Sequence, residues 1–267
     1  MSVLNRSALK KQTDEHVAVA VFKNKRRHDS MLKILKSLNE SWLFDTLGVI
    51  IVILAAYTSG YLFENLTHTS FFSENIWAKY VPFGVISVVS SSLSIMSTRL
   101  TARLNKFGNI VGTINTLLSG TIDFILGNSG AILTYPVSFL INAASIKGWY
   151  RYGDKQVNRA TDFRKWLPFV IGGAILLSLG LNYLAFQNTS PLFWLASAVF
   201  SLSLIPNILN VFKMEDQWLF WIVYNFVQLV KAMTQGNFAN VGKYLYYIVN
   251  SGVAYPIWRM ARQKNSR

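Results

Sequence analysis

The 267-residue chain has no cysteine, only 12 acidic residues, three histidines and 14% charged residues in all. The missing thiols exclude disulfides and thiolate-held metals. His16, His28 and His68 lie outside every long apolar stretch and cannot form a relay within one. An intramembrane His/Glu cluster, a Ser/His pair and a run of aspartates are all lacking, which argues against a membrane-embedded enzyme. No cofactor is expected. A signal peptide needs an apolar core of ~7–15 residues, and the longest early apolar run is only Val17 to Phe22. No cleaved leader is expected.

What the chain does have is apolar surface: 52% of its residues are hydrophobic and 14% aromatic. That composition is too apolar for a soluble domain and indicates a helical membrane protein. Apolar segments fall at 43–63, 80–100, 107–127, 129–149, 166–188, 191–212, 217–234 and 237–258. Each approaches the ~20 residues with which a helix crosses ~30 Å of hydrocarbon. The expected fold is therefore all-α and polytopic, with eight transmembrane helices. Pro136 and Pro206 fall inside segments, where they serve as hinges or as static kinks.

The net charge of +14 reflects topology rather than nucleic-acid binding. Of the 26 basic residues, nine lie within 1–41, three after the second segment, six around the loop after the fourth, one after the sixth and four at the C-terminus. With eight spans, all of these fall on one side, and only Lys79, Lys231 and Lys243 are left for the other. The positive-inside rule then makes both termini cytoplasmic, with the cell membrane as the expected location. Within the basic 1–41 tail, Met31, Leu32, Leu35 and Leu38 recur at helical spacing, consistent with an amphipathic helix on the inner leaflet.

The chain also repeats itself. Ser87, Val89, Ser91, Ile95 and Asn115 recur at a shift of 110 as Ser197, Val199, Ser201, Ile205 and Asn225. With one residue deleted, Tyr135 and Trp149 recur as Tyr244 and Trp258. Internal symmetry that carries matched mid-span polar residues is a transporter signature, with the substrate site between the repeats. The division that follows is an additional first helix and outer loop (42–79), a first triple-helix repeat (80–152), a connector loop and linker helix (153–190), a second repeat (191–260) and a basic tail (261–267). An offset of four spans makes the repeats parallel, a 3+1+3 core plus one helix. The expected partners are a small-molecule substrate and the lipid bilayer. A homo-oligomer remains compatible with the sequence.

Trp218, Trp221 and Asn225 stand at i, i+3 and i+7, and Gln228 continues that face. A rise of ~1.5 Å per residue puts Asn225 about 12 Å into the span, and Asn115 reaches a similar depth in the third. Two amides at equal depth suit a pseudo-symmetric polar site, with helix–helix bonding as the competing role. Trp218, beside Glu215 and Asp216, also suits an interfacial aromatic belt. The fourth segment adds Ser138 and Asn142, and the eighth adds Tyr244 and Tyr247, giving polar, aromatic and uncharged faces. Gly108 and Gly112 suit close helix packing rather than binding. Asp45 and Asp123 are the only carboxylates within the segments, and neither shows a partner in the other repeat, so ion coupling is not expected.

Two motifs carry a family resemblance. The second repeat reads Trp218-Leu-Phe-Trp221-Ile-Val-Tyr-Asn225 after Met-Glu-Asp-Gln. The first contains Phe107-Gly-Asn-Ile-Val-Gly-Thr-Ile-Asn115 and closes on Gly148-Trp149-Tyr150-Arg-Tyr152. The chain resembles the PnuC family of vitamin transporters over roughly residues 80–260. The resemblance implies a SWEET-like fold and uptake of nicotinamide riboside, an NAD precursor, by facilitated diffusion, with cytoplasmic phosphorylation trapping the product. It further implies that Trp221 stacks on the pyridinium ring and that Asn225 and Asn115 bind ribose hydroxyls or the carboxamide. Ser138 stands where some relatives carry glutamine, and related branches are associated with thiamine, riboflavin or deoxynucleosides. A SWEET-type sugar carrier is the more distant alternative.

Overall fold

The computed structural model describes residues 30–153, 156–158, 163–186 and 190–265. Its helices are α1 (Ser30–Glu40), α2 (Trp42–Thr58), α3 (Phe83–Ala102), α4 (Phe107–Ile125), α5 (Ala131–Tyr152), α6 (Phe163–Phe186), α7 (Leu192–Val211), α8 (Gln217–Thr234) and α9 (Phe238–Asn265). The eight helices after α1 are each 17 residues or longer and coincide with the eight apolar segments. No strand forms among the described residues, where Asn158 and Met214 make an isolated bridge.

Two boundaries differ from expectation by five residues or more. The first segment stops being helical at Thr58 rather than 63. There Ser59 Oγ donates to the Ala55 carbonyl (2.8 Å) and Gly60 takes φ +80°, a conformation open to glycine at little cost. Short 3-10 turns follow at Tyr61–Phe63, Leu66–His68 and Ile76–Tyr80. The last helix runs seven residues past 258 to Asn265, because Arg262 Nε anchors it to Glu215 at 2.8 Å. The amphipathic stretch does form a helix, bent 63° from α2 at Ser41, whose Oγ accepts from Leu43 N. Leu35 packs on the core, whereas Met31 and Leu38 are exposed. The basic stretch up to residue 29 lies outside the described residues.

The helices are turned inside out relative to a soluble protein. α4 buries Asn109, Thr113, Asn115, Thr116 and Asp123 while exposing Ile114 and Leu117. α8 buries Gln217, Asn225, Gln228 and Lys231 while exposing Leu219, Val223, Phe226 and Val230. Lipid is as apolar as leucine, so an outward leucine costs nothing there, and buried polar side chains find partners inside. By length and apolarity α3, α6 and α7 each suffice to cross a membrane, as does the bent α1–α2 pair. The other helices fall short of that criterion, and in α4 and α8 it is the inward face that carries the polar residues.

Six helices form a ring of two triplets, α3–α4–α5 and α7–α8–α9, closed where α5 packs on α7 and α9 on α3. The closures mirror each other. Trp149 Nε1 donates to the Asn210 carbonyl (2.9 Å), and its repeat counterpart Trp258 donates to the Ala102 carbonyl (3.1 Å). At Gly148 a Cβ would stand 2.1 Å from the Val211 carbonyl oxygen, so α5 approaches α7 only because no side chain intervenes. Gly108 behaves as expected, since its Cβ would meet Thr101 Oγ1 at 2.5 Å.

Outside the ring, α2 packs on α9 and α3. It is tied there by Arg99, whose guanidinium bonds Asp45 (2.6 Å), Asn250 (2.8 Å) and the Asn39 carbonyl (2.6 Å). Arg103 takes the second Asp45 oxygen at 2.6 Å. The carboxylate that the sequence left unassigned is thus the centre of a bracket that fixes the α1–α2 bend onto the ring.

Candidate functional site

Between the two triplets lies a cavity of about 220 Å³. All nine residues singled out in the sequence line it: Asn115 from α4, Ser138 and Asn142 from α5, Trp218, Trp221, Asn225 and Gln228 from α8, and Tyr244 and Tyr247 from α9. Helical spacing brings them there, because i, i+3 and i+7 positions share a face and α8 turns that face inward.

The two matched asparagines are not equivalent. Asn115 Nδ2 donates to the Ser90 carbonyl (3.1 Å) and to Ser94 Oγ (2.6 Å), and its Oδ1 accepts from Ser90 Oγ (3.2 Å). It is fully occupied in joining α4 to α3. Asn225 is equally buried, yet its Oδ1 has no partner. The sequence accounts for the difference: at a shift of 110, Ser90, Ser94 and Ser119 become Phe200, Leu204 and Leu229, which offer no hydrogen bond. A buried acceptor left unmade costs about 1–3 kcal/mol, and a ligand donor in the cavity would relieve it. The pair expected to be symmetric is thus unlike in its hydrogen bonding, though both amides line the cavity. Asn115 does the work of helix bonding, and Asn225 holds the open acceptor.

The walls also differ in balance, although Tyr135 stands on the first and Asn207, Gln217 and Ser251 on the second. From the second repeat comes a run of rings: Trp221 meets Tyr224 edge-on at 5.0 Å, Tyr224 meets Tyr244 at 6.5 Å, and Tyr244 meets Tyr247 at 6.1 Å. From the first come small polar groups, among them Ser94, Thr98, Asn109, Thr116, Ser138 and Asn142, with Asn142 Nδ2 donating to Thr116 Oγ1 at 2.9 Å. Gln228 donates to the Tyr224 hydroxyl (2.6 Å) and so positions a ring rather than standing free.

Trp218 departs from the belt reading. It is 1% exposed and packs against Trp258 with ring centres 5.6 Å apart, while Trp258 packs on Trp149 at 5.7 Å. Of these three indoles Trp218 lines the cavity, and its buried Nε1 has no partner. Its neighbours Glu215 and Asp216 do not put it at a wet edge, because Glu215 is itself buried and bound to Arg262.

At the other end sits a charge pair absent from the sequence reading. Lys231 of α8 donates to both Asp123 oxygens of α4 (2.8 and 2.6 Å), and Gln235 and Asn128 add bonds at 2.8 and 2.6 Å. Asp123 therefore does have a partner in the other repeat, contrary to expectation. Two residues 108 positions apart meet only because the triplets face each other.

A model of the nicotinamide mononucleotide transporter family matches residues 84–260. The chain belongs to this family. Similar proteins include the nicotinamide riboside transporters PnuC of Escherichia coli (strain K12) and of Shigella flexneri. Each is 26% identical over 241 residues, spanning 74% of this chain and 98% of the relative. The crystal structure of the vitamin B3 transporter PnuC shares the fold, with a TM-score of 0.60 at 14% identity, covering 84% of this chain and 93% of that one. This member of the family is thus a polytopic helical membrane transporter, and its cavity is the place where a solute could sit.

Several lining residues escaped the sequence reading. Tyr224 lies between Trp221 and Asn225 and Tyr135 is the repeat partner of Tyr244, so both were within reach of the same spacing argument. Asp123 reads in the sequence as a carboxylate without a partner, and Lys231 and Lys243 as basic residues of one side, yet all three line the cavity.

Proposed function

We propose that the chain takes up nicotinamide riboside through this cavity by facilitated diffusion. The observation that carries the reading is a cavity that combines a run of rings and a buried, unpartnered amide oxygen with many hydroxyls and amides. A ligand with a flat cationic ring and a sugar presents the complementary pair of surfaces. Attraction of a desolvated cation to an indole is worth about 2 kcal/mol, which suits Trp221 to the ring, while Asn225 accepts from a carboxamide or ribose donor. The printed names of the E. coli and Shigella relatives agree with this substrate.

Eight membrane crossings, parallel triplets in a SWEET-like 3+1+3 plan, and cytoplasmic termini in the cell membrane belong to the same reading, supported by the basic-residue distribution. Uncoupled transport is supported by Asp123: the one carboxylate lining the cavity among the described residues is held by Lys231, Gln235 and Asn128. Trapping would then require phosphorylation after entry.

Proteoliposome counterflow tests this directly. Exchange of labelled nicotinamide riboside without an ion gradient, and weaker exchange of thiamine, riboflavin, deoxynucleosides and glucose, is the expected outcome. Preference for one of those solutes, or accumulation of unmodified nicotinamide riboside driven by protons or sodium, would overturn it. Because the chain has no cysteine, single cysteines near Ser2, Asn188 and Ser266 report topology with an impermeant thiol reagent. Labelling from outside at Asn188 alone is expected.

A further inference from the structure

The ring around the cavity runs α3–α4–α5–α7–α8–α9, so α4 stands opposite α8 and α5 stands opposite α9. A bond between opposite members crosses the axis along which a solute has to travel. At the C-terminal ends of α4 and α8, Lys231 donates to both oxygens of Asp123, and Gln235 and Asn128 complete the cluster. At the C-terminal ends of α5 and α9, Trp149 and Trp258 pack with ring centres 5.7 Å apart. Short turns link α4 to α5 and α8 to α9, which sets the two crossings at opposite ends of the ring.

The crossings differ in their response to water. Indoles in contact expel it, so wetting does not separate them. A carboxylate and an ammonium attract strongly in a dry interior, whereas the same pair in water is worth little. Asp123 and Lys231 are 7% and 2% exposed, so the pair is firm as it stands and would weaken once water reached it. It therefore has two self-consistent states, dry and joined or wet and parted. Alternating access by rocking one repeat against the other requires one crossing to yield while the other holds, and the polar crossing is the one that solvent can release. Because the pair is neutral as a unit, its parting moves no net charge, in keeping with uncoupled transport.

We propose that the Asp123–Lys231 pair is the outer gate of the cavity, broken each time the site opens to the outside and remade when a solute is enclosed. This rests on the transport reading and on the proposed topology, which turns the C-terminal ends of α4 and α8 outward. A static brace would instead keep α4 and α8 joined throughout the cycle.

Two cysteine experiments test the gate, and the cysteine-free chain gives both a clean background. The first reads access. Ser203 lines the cavity from the middle of α7, inward of the pair. In Ser203→Cys, an impermeant thiol reagent applied to intact cells should label slowly. Adding Asp123→Ala and Lys231→Ala should speed labelling roughly tenfold or more, because an open state held at roughly 0.1–10% becomes the major one. Unchanged labelling in a variant that still melts cooperatively would overturn the proposal. The second experiment keeps both charges. Gln235 Nε2 reaches the Leu126 carbonyl at 3.4 Å, so Leu126→Cys/Gln235→Cys sets two thiols beside the gate, where a short bis-methanethiosulfonate can tie the helix ends together. Cross-linking should stop nicotinamide riboside counterflow in proteoliposomes, and reduction should restore it. Counterflow that continues with the link in place would overturn the proposal. Absence of counterflow before any cross-link would sink the transport reading instead, while the labelling experiment, which uses no solute, still decides for or against the gate.

Discussion

The first and second repeats descend through the same positions but hold different chemistry. In the first, Asn115 is enclosed by serines and spends its amide on them. In the second, Asn225 sits among residues that replace those serines with phenylalanine and leucines, and its oxygen stays open. The closing tryptophans, by contrast, keep one role in both halves, each donating to the end of the first helix of the opposite triplet. Symmetry is retained where the repeats hold each other and lost where the cavity needs two unlike walls. A ligand with two dissimilar ends cannot be met by two identical half-sites, so divergence within the cavity is itself an indication of what it binds.

The largest effect expected from breaking this arrangement is at the Asp123–Lys231 ion pair, which joins the halves inside the cavity. Lys231→Met leaves Asp123 buried without its cation, and loss of one partner of a buried pair costs about 3–5 kcal/mol. Thermal melting in detergent should show a marked drop. The double variant Asp123→Leu/Lys231→Met should recover most of it, because two apolar groups leave no uncompensated charge. A single variant as stable as the parent would mean that the pair does not link the repeats.

The next effect sharpens the aromatic half. Trp221→Ala should weaken nicotinamide riboside binding by about 2 kcal/mol if the indole meets a cationic ring, and Trp221→Phe by less. Titration calorimetry measures both. Equal affinity in the parent and the alanine variant would remove the indole from the site.

The smallest effect is the one that separates the asparagines. Asn115→Ala should lower thermal stability, at about 0.6 kcal/mol for each membrane hydrogen bond lost, with little selective change in affinity. Asn225→Ala should do the reverse, weakening binding by about 1 kcal/mol while leaving the melting temperature unchanged or raised, since it removes a buried acceptor with no partner. Matching behaviour in the two variants would restore the symmetric site that equal depth alone suggests.

Much of this was legible before any coordinates. Apolar runs of membrane length give the eight long helices because a span must satisfy its backbone internally and a helix is the local way to do so. The i, i+3, i+7 spacing of Trp218, Trp221 and Asn225 turns them to one face, and the repeat offset marks which other helices supply the opposite one. The inequality of the asparagines was also within reach, through Ser90 and Ser94 against Phe200 and Leu204. It goes unread when only the conserved half of a repeat is compared.

Other features belong to the tertiary structure alone. Asp123 and Lys231 are 108 residues apart, and nothing in their neighbours says that they meet. Trp218 reads as a membrane-edge residue by position, yet it is buried against Trp258 of α9, which in turn packs on Trp149 of α5. Local rules act through a few bonds or one helical turn, so they settle which residues lie on which face of which helix. Which faces then oppose one another and which charge finds its counter-ion depend on packing between distant segments, and that is decided only when the two triplets close around the cavity.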